Sequence, residues 1–593
     1  MADDNSDCCD ISGGKFSRFY PFVIASVTFL IFAPGITFQP YIVLDDAYYV
    51  LMNQHLAMSW ENIVYWLKNS CLNLYTPLQM YSYMIDNALF GNVNMAGYHV
   101  HSILLHIAAV LLFYYILLEL KVFRLIALFA ALAFAVNPQR IESVIWISER
   151  KDVLCGALYL LALMLFIRAM KQNRFSAPAL ILMLLALLAK PMAISLPAAM
   201  ICYLIHARRR YDLKYILRHI WPYLLLAAGY VICRFSFVTH IYSDVTGAEK
   251  DLLRTALCVA SNYSQYAAKV FFPYALNPVY PYLVIGPAII AGIVLFALII
   301  CAAGALLYYL GRRKTLLYDY LPLIGCFLIS LAPVVGFFRV GISPFADRYS
   351  YLPSIFLLTA AVIFIQLLVS KANLKLRQII AAAAVFYLIW LTLSTAFYLG
   401  CWKDTRTVLM AACDTANPNH RALINLADYE YSCKNFPQAL QLVEAVKEEP
   451  WMSSVELNKI RLYKLYLKGM VALDSGNEAI AINMFNAVLS NSRIGDLKNV
   501  SPNGPVKLIF ITASYYWKNG DKKQAAAIFR RIGDVYPEKN AEYYFDHALA
   551  AVVEDNMQDA YLNFKKAHEL SPDDQRILFN LKKAEELLSP VRK

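Results

Sequence analysis

Two carboxylates in succession, Asp45 and Asp46, follow closely on the first long apolar run of the chain and stand beside Tyr48 and Tyr49. An ionised side chain at the edge of an apolar segment is costly unless water, a partner or a chemical task holds it there. In a glycosyl transfer with inversion, one carboxylate takes the proton from the attacking hydroxyl while its neighbour orients the acceptor or a divalent metal. Either Asp suits the role of base. The plainer reading is an Asp cap on a helix starting near Ala47, and one Asp can cap while the other reacts.

A second charged group follows in the order Asn137-Pro138-Gln139-Arg140-Ile141-Glu142 and Ser148-Glu149-Arg150-Lys151-Asp152. A lipid-linked phosphate at a bilayer surface needs fixed cations, and the guanidinium fork matches its oxygens. Arg140, Arg150 and Lys151 are therefore candidate phosphate holders, with Glu142 and Asp152 in support; salt bridging among mixed charges is the bland alternative. Lys190, before Pro191, and Arg348, between Asp347 and Tyr349, suit the same phosphate or an interfacial anchoring role. His99, His101 and His106 do not share one helix face in the way a metal site requires. No metal ligands are assigned.

These residues need elements to position them, and the composition says which. Of 593 residues 59% are hydrophobic and 16% charged, and the mean hydropathy is +0.48, the profile of a polytopic membrane protein. Apolar stretches at 19–38, 98–118, 122–136, 153–168, 177–190, 192–206, 220–237, 285–310, 319–336, 350–370 and 378–399 predict about eleven spans. With a cytoplasmic N-terminus, alternation places the basic clusters at 121–124, 168–174, 208–210, 312–314 and 371–377 inside. Asp45, Asp46, the loops 137–152 and 337–349 and the polar C-terminal region then share the outer side. The segment 252–272 carries Arg254, Asn262, Gln265 and Lys269 and reads as a helix lying at the outer face or dipping partway in. The net charge of +12 resides mainly in the short inter-span clusters, which speaks against nucleic acid as a partner. Most of the twelve cysteines lie in apolar runs; Cys401, Cys413 and Cys433 could pair in an oxidising compartment.

Beyond residue 416 helical pairs recur. Ala513, Ala525, Phe529 and Pro537 follow one another at offsets that Ala548, Ala560, Phe564 and Pro572 repeat, and looser units surround Ala427, Ala439 and Val443 and Gly469, Ala481 and Phe485. This is a tetratricopeptide pattern, with small residues where paired helices touch and a polar last helix as cap. It predicts a module that binds a protein partner, or else a rigid spacer.

Taken together, these residues resemble the transmembrane and tetratricopeptide-repeat protein O-mannosyltransferase family and its bacterial relatives, which have the C-type glycosyltransferase fold. The resemblance rests on Asp45-Asp46, on Pro138, Glu142, Ser143 and Arg150-Lys151-Asp152, on Lys190-Pro191, on Phe272-Pro273 to Tyr280-Pro281-Tyr282, on Asp347-Arg348-Tyr349, and on the repeats. Where that family commonly carries histidines flanking the proline, Asn137 and Arg140 stand here. The resemblance implies an all-α chain: a cytoplasmic tail (1–18), a polytopic glycosyltransferase-like bundle (19–399), a linker (400–416) and an extracytoplasmic repeat solenoid (417–593). It implies transfer of mannose or another hexose from a polyprenyl- or dolichyl-phosphate donor to Ser or Thr hydroxyls of an acceptor protein, with the Asp pair essential. The setting would be the bacterial inner membrane or the endoplasmic reticulum. The lipid-phosphate sugar is a co-substrate, no resident cofactor is named, and a divalent metal is left open. Two other expectations stand beside it: the same fold acting on a lipid or glycan, and a non-catalytic scaffold whose repeats dock envelope proteins.

Overall fold

The computed structural model describes residues 15–41, 44–72, 74–91, 94–237, 252–281, 287–309, 311–336, 345–415, 418–448, 452, 454–490, 504–531 and 539–588. Residues 1–14, Tyr282, residues 337–344 and Pro537, all used in reading the sequence, lie outside them. The described chain is helical, without a named strand, and divides into two compact units, Met1–Asn419 and His420–Lys593.

In the first unit, seven helices among the described residues are long and apolar enough to cross a membrane: Phe16–Thr37, Met95–Glu119, Ile147–Lys171, Pro191–Arg208, Leu213–Cys233, Pro353–Lys371 and Leu374–Trp402. An eighth arises if Arg124–Ala135 and Pro138–Ile145, bent by 54° at their junction, count as one span. Of the other expected stretches, 285–310 forms the 23-residue apolar helix Pro287–Tyr309, and two form shorter helices. The stretch at 177–190 forms the 13-residue helix Ala177–Ala189, about 20 Å at 1.5 Å per residue against a hydrocarbon core of about 30 Å. The stretch at 319–336 yields the shorter apolar helix Leu316–Leu331. Leu252–Phe271 is a helix with buried Tyr266, Lys269 and Val270 and does not figure among the crossing candidates.

The bend at residues 136–138 positions much of the charged cluster. Pro138 lacks the N–H that a continuing helix needs. The Asn137 side chain accepts the Gln139 N–H at 2.9 Å and donates to the Val270 carbonyl at 3.0 Å. Thr395 Oγ1 donates to the Val136 carbonyl at 2.5 Å. The interrupted backbone is thus satisfied by neighbouring helices, the condition under which a broken helix survives away from water. Residues 400–416, expected as a linker, carry a 3₁₀ turn, Gly400–Trp402, and the helix Thr405–Cys413, capped by a reciprocal Asp404–Thr407 box. Cys401, Cys413 and Cys433 are free thiols, so the pairing considered for them is not made.

The second unit is a succession of helical hairpins: His420–Ser432 with Phe436–Glu444, Ser454–Asp474 with Glu478–Leu489, Gly504–Lys518 with Lys522–Arg530, and Ala541–Val553 with Met557–Leu570, followed by Gln575–Leu588. The small residues of the repeat pattern sit where the helices touch. Ala427, Ala513 and Ala548 are fully buried, and a Cβ at Gly469 would lie 2.2 Å from the Phe485 ring.

That contact decides the sign of a simple substitution. On an exposed helix face Gly→Ala stabilises by about 1 kcal/mol, but overpacking costs about 1–3 kcal/mol, and the ring that must give way, that of Phe485, is fully buried. Gly469→Ala should therefore lower the melting temperature of the detergent-solubilised chain, and a rise would contradict this packing.

Candidate functional site

The Asp pair lies in a turn leading into a single π-helical turn, Ala47–Leu51. Asp46 is fully buried. Its Oδ1 accepts the Ser148 N–H at 2.8 Å and its Oδ2 the Tyr41 N–H at 3.1 Å. It occupies the N-cap position, yet its side chain makes no capping bond, so the cap reading gives way to a bridge between two distant segments. Burial pushes its carboxyl up to about 7, opposed by the two backbone donors. Tyr41 is itself fixed, its hydroxyl donating to the Trp402 carbonyl at 2.5 Å.

Asp45 differs. It is half-buried, and no described residue donates a hydrogen bond to its carboxylate. Burial raises its carboxyl above the usual range, Lys151 and Arg348 pull it down, and Glu149 adds to the rise. Tyr49 is buried beneath Lys151, whose ammonium stands 5.4 Å from the ring centroid. Tyr48 is exposed and adds nothing to the cluster.

Arg150, Lys151 and Asp152 begin the helix Arg150–Lys171. Consecutive helical residues point about 100° apart, which sends the three into separate surroundings. Arg150 pairs with Asp86, donates to Ser102 Oγ at 3.2 Å and to the Tyr98 carbonyl at 2.8 Å, and lies over the Tyr83 ring at 4.7 Å. Lys151 meets Glu149 at 2.9 Å and the Ser148 carbonyl at 2.8 Å. Asp152 pairs with Lys190 and accepts from Ser143 Oγ at 3.0 Å.

Across from them, Arg348 pairs with Glu142, approaches Glu149 at 3.3 Å, and donates its backbone N–H to Glu142 Oε2 at 2.9 Å. Glu149 therefore connects Lys151 to Arg348, the two cations that act on Asp45. Arg140 is the exception. Its Nη2 donates to Ser350 Oγ at 2.7 Å, and its guanidinium stands 5.3 Å from the Phe134 ring and 5.4 Å from that of Tyr351. Its Nε and Nη1 have no hydrogen-bond partner among the described residues, although the side chain is buried.

The cluster thus brings together Asp45, Asp46, Glu142, Lys151, Asp152, Lys190 and Arg348, with Arg140 and Arg150 buried behind charges and rings of their own. Sequence reading missed Asp86, which holds Arg150 and accepts His101 Nδ1 at 2.8 Å. The signal was present: Asp86 is the one charged residue of the helix Pro77–Phe90. It also missed the support of Asp347, which accepts from Gln139 Nε2 at 3.1 Å and from the Tyr280 hydroxyl at 2.7 Å. Among the described residues no three His, Cys, Asp or Glu side chains group as a metal ion would require.

No protein-family model matches the chain, and no curated protein does. Among solved structures, one described as the crystal structure of the P58(IPK) TPR domain at 2.5 Å is 15% identical, over 73% of this chain and 99% of that one, with a TM-score of 0.21.

The surroundings of Arg150 make its first task the neutralisation of Asp86. Removing one member of a buried ion pair costs about 3–5 kcal/mol. Arg150→Ala should accordingly lose most of its folded yield and melt well below the parent in detergent; a variant as stable as the parent would remove Arg150 from this structural role.

Proposed function

We propose that the chain is a membrane glycosyltransferase that moves a sugar, with inversion, from a polyprenyl- or dolichyl-phosphate donor to a Ser or Thr hydroxyl of an extracytoplasmic protein. The observation that supports it most is the division between the two acids. Asp46 has both oxygens engaged by backbone N–H groups, while Asp45 beside it is half-open, without a hydrogen bond from any described residue, and near Lys151 and Arg348. In this reading Asp45 is the base that accepts the acceptor hydroxyl's proton as the oxygen attacks the anomeric carbon, and the sugar leaves its lipid phosphate. A raised carboxyl is a better base at neutral pH than an ordinary one. Asp46 is a positioning residue that fixes the loop. In this reading Lys151 and Arg348, which act on Asp45, face the phosphate, and Arg140, without a carboxylate within ion-pair distance among the described residues, is a further cation for it. A bundle of the C-type glycosyltransferase kind, an outer location for this cluster, and repeats that present the acceptor belong to the same proposal.

One observation favours a second reading. Arg150, Lys190, Arg348 and Lys151 each already touch a carboxylate, as they would in a purely structural ion-pair network. A membrane scaffold whose hairpin repeats dock proteins needs nothing more.

The two readings part at Asp45. Loss of a general base lowers turnover by about 10²–10⁴-fold, so Asp45→Asn should abolish hexose-sized masses on Ser or Thr peptides of extracytoplasmic proteins while the variant accumulates normally. Unchanged peptide masses at normal protein level would leave the scaffold reading.

Asp46 gives the pH dependence. Below about 7 its carboxyl takes up a proton, one acceptor oxygen becomes a donor, and the Tyr41 or Ser148 amide loses its partner. Transfer should fall as pH drops through about 7, and in Asp46→Asn, where an amide nitrogen can never accept, it should be low throughout, with only the acid limb of Asp45 itself remaining. Stability runs the other way: an Asp whose folded pKa is raised stabilises most below its unfolded value of about 3.9 and loses that contribution as pH rises through about 7. A profile whose acid limb is the same in wild type and Asp46→Asn would sink this assignment.

A further inference from the structure

In the second unit the first helix of each hairpin presents equivalent residues along one line. Three places before the small residue stand Tyr466, Phe510 and Phe545; four places after it stand Tyr431, Trp517 and Val552. Phe510 and Trp517 remain 52% and 49% exposed. The last two hairpins and the helix Gln575–Leu588 line an open groove of about 830 Å³, walled in part by Phe510, Trp517, Phe545 and Leu549. That volume lies within the range of about 300–1,000 Å³ typical of ligand sites.

Asp546 lines the same groove. It is 3% exposed, and its Oδ2 has no hydrogen-bond partner among the described residues. The cations around it are engaged elsewhere. Arg576 donates to Glu542 at 2.5 Å and to Asp574 at 2.8 Å, and lies over the Phe545 ring at 5.4 Å. Lys507 donates to the Tyr431 hydroxyl at 3.3 Å and stands over the Tyr431 and Phe436 rings. Lys583 is exposed. An unsatisfied buried carboxylate oxygen destabilises the empty groove until a donor meets it.

We propose that this groove binds an extended peptide segment whose apolar side chains lie along the aromatic wall and whose Lys or Arg side chain reaches Asp546. The aliphatic stem of such a side chain packs on Phe545 and Leu549 while its charged end meets the acid. Burial, helped by Glu542 and opposed by Arg576, pushes the Asp546 carboxyl up to about 8. An arriving cation then displaces a proton, so the preference for a basic peptide strengthens as pH rises. This stands whether or not the Asp45 and Asp46 pair carries a transfer reaction.

The test uses the full chain in detergent and three fluorescent decapeptides of Leu, Phe and Gly that differ only in a central Lys, Gln or Glu. The Lys peptide should bind about tenfold or more tightly than the other two, the scale of a hydrogen bond to a charged group. Asp546→Asn should remove that difference, and Asp546→Glu should retain part of it. In the unaltered protein the Lys-over-Gln preference should grow between about pH 6 and about pH 9, a readout that needs no variant to fold. Equal binding of all three peptides, tighter binding of the Glu peptide, a preference that survives Asp546→Asn, or one that is flat with pH would each overturn the proposal. So would a particle of two copies by light scattering that takes up no peptide and becomes one copy in Asp546→Asn, since the groove would then belong to a second chain.

Discussion

A carboxylate withdrawn from water persists only where donors meet its oxygens, and at Asp46 both donors are main-chain amides, those of Tyr41 and Ser148. The rest of the charged cluster depends on this junction. It pins the loop after the first apolar helix to the segment that starts Arg150–Lys171, and so fixes Asp45 relative to Lys151. Backbone donors cannot change rotamer, which makes the tie stiffer than a side-chain pair. The same junction fixes Tyr41, whose hydroxyl reaches the Trp402 carbonyl and joins the end of the last long apolar helix to the loop.

Around that junction the ion pairs follow one rule. Separating a buried cation from its carboxylate is far more costly than the pair is stabilising, so each pair constrains two helices strongly while adding little net stability. Asp86 with Arg150 joins Pro77–Phe90 to Arg150–Lys171, Asp152 with Lys190 joins that helix to the turn after Ala177–Ala189, and Glu142 with Arg348 joins the bent segment to the turn before Pro353–Lys371. The pairs behave as registry devices. Against that background Asp45 and Arg140 stand out: among the described residues the first is an acid whose carboxylate receives no hydrogen bond and the second, like Lys269, a buried cation without an acid.

Much of this was legible in the sequence, and for identifiable reasons. Charged residues inside an apolar chain are conspicuous, so Asp45, Asp46, Glu142, Arg150, Lys151, Asp152, Lys190 and Arg348 stand out by residue type and position alone. The small residues of the hairpin repeats were equally visible, since Gly469 and Ala513 recur at positions set by helix contact. What a sequence cannot display is pairing. Whether Arg150 is open to a ligand or closed on Asp86 depends on two helices meeting, and nothing local to residue 150 records it. Helix length is hidden in the same way: hydropathy registers apolar length, whereas Ala177–Ala189 stops at Lys190, whose side chain pairs with Asp152.

The hairpin unit obeys the same chemistry in a different setting. Its helices meet through small residues, with Ala427, Gly469, Ala513 and Ala548 permitting close approach, so side chains that point away from these contacts are free to differ from repeat to repeat without disturbing the stack. Shape is then carried by the small residues, and selectivity by whatever stands at the line positions. Asp546 differs from Asp86 and Asp152: it is as buried as they are, yet among the described residues its Oδ2 has no hydrogen-bond partner and no cation pairs with it. A fold that pairs such acids elsewhere has either left this one for a partner to complete or keeps it protonated, and the raised carboxyl is what both alternatives require.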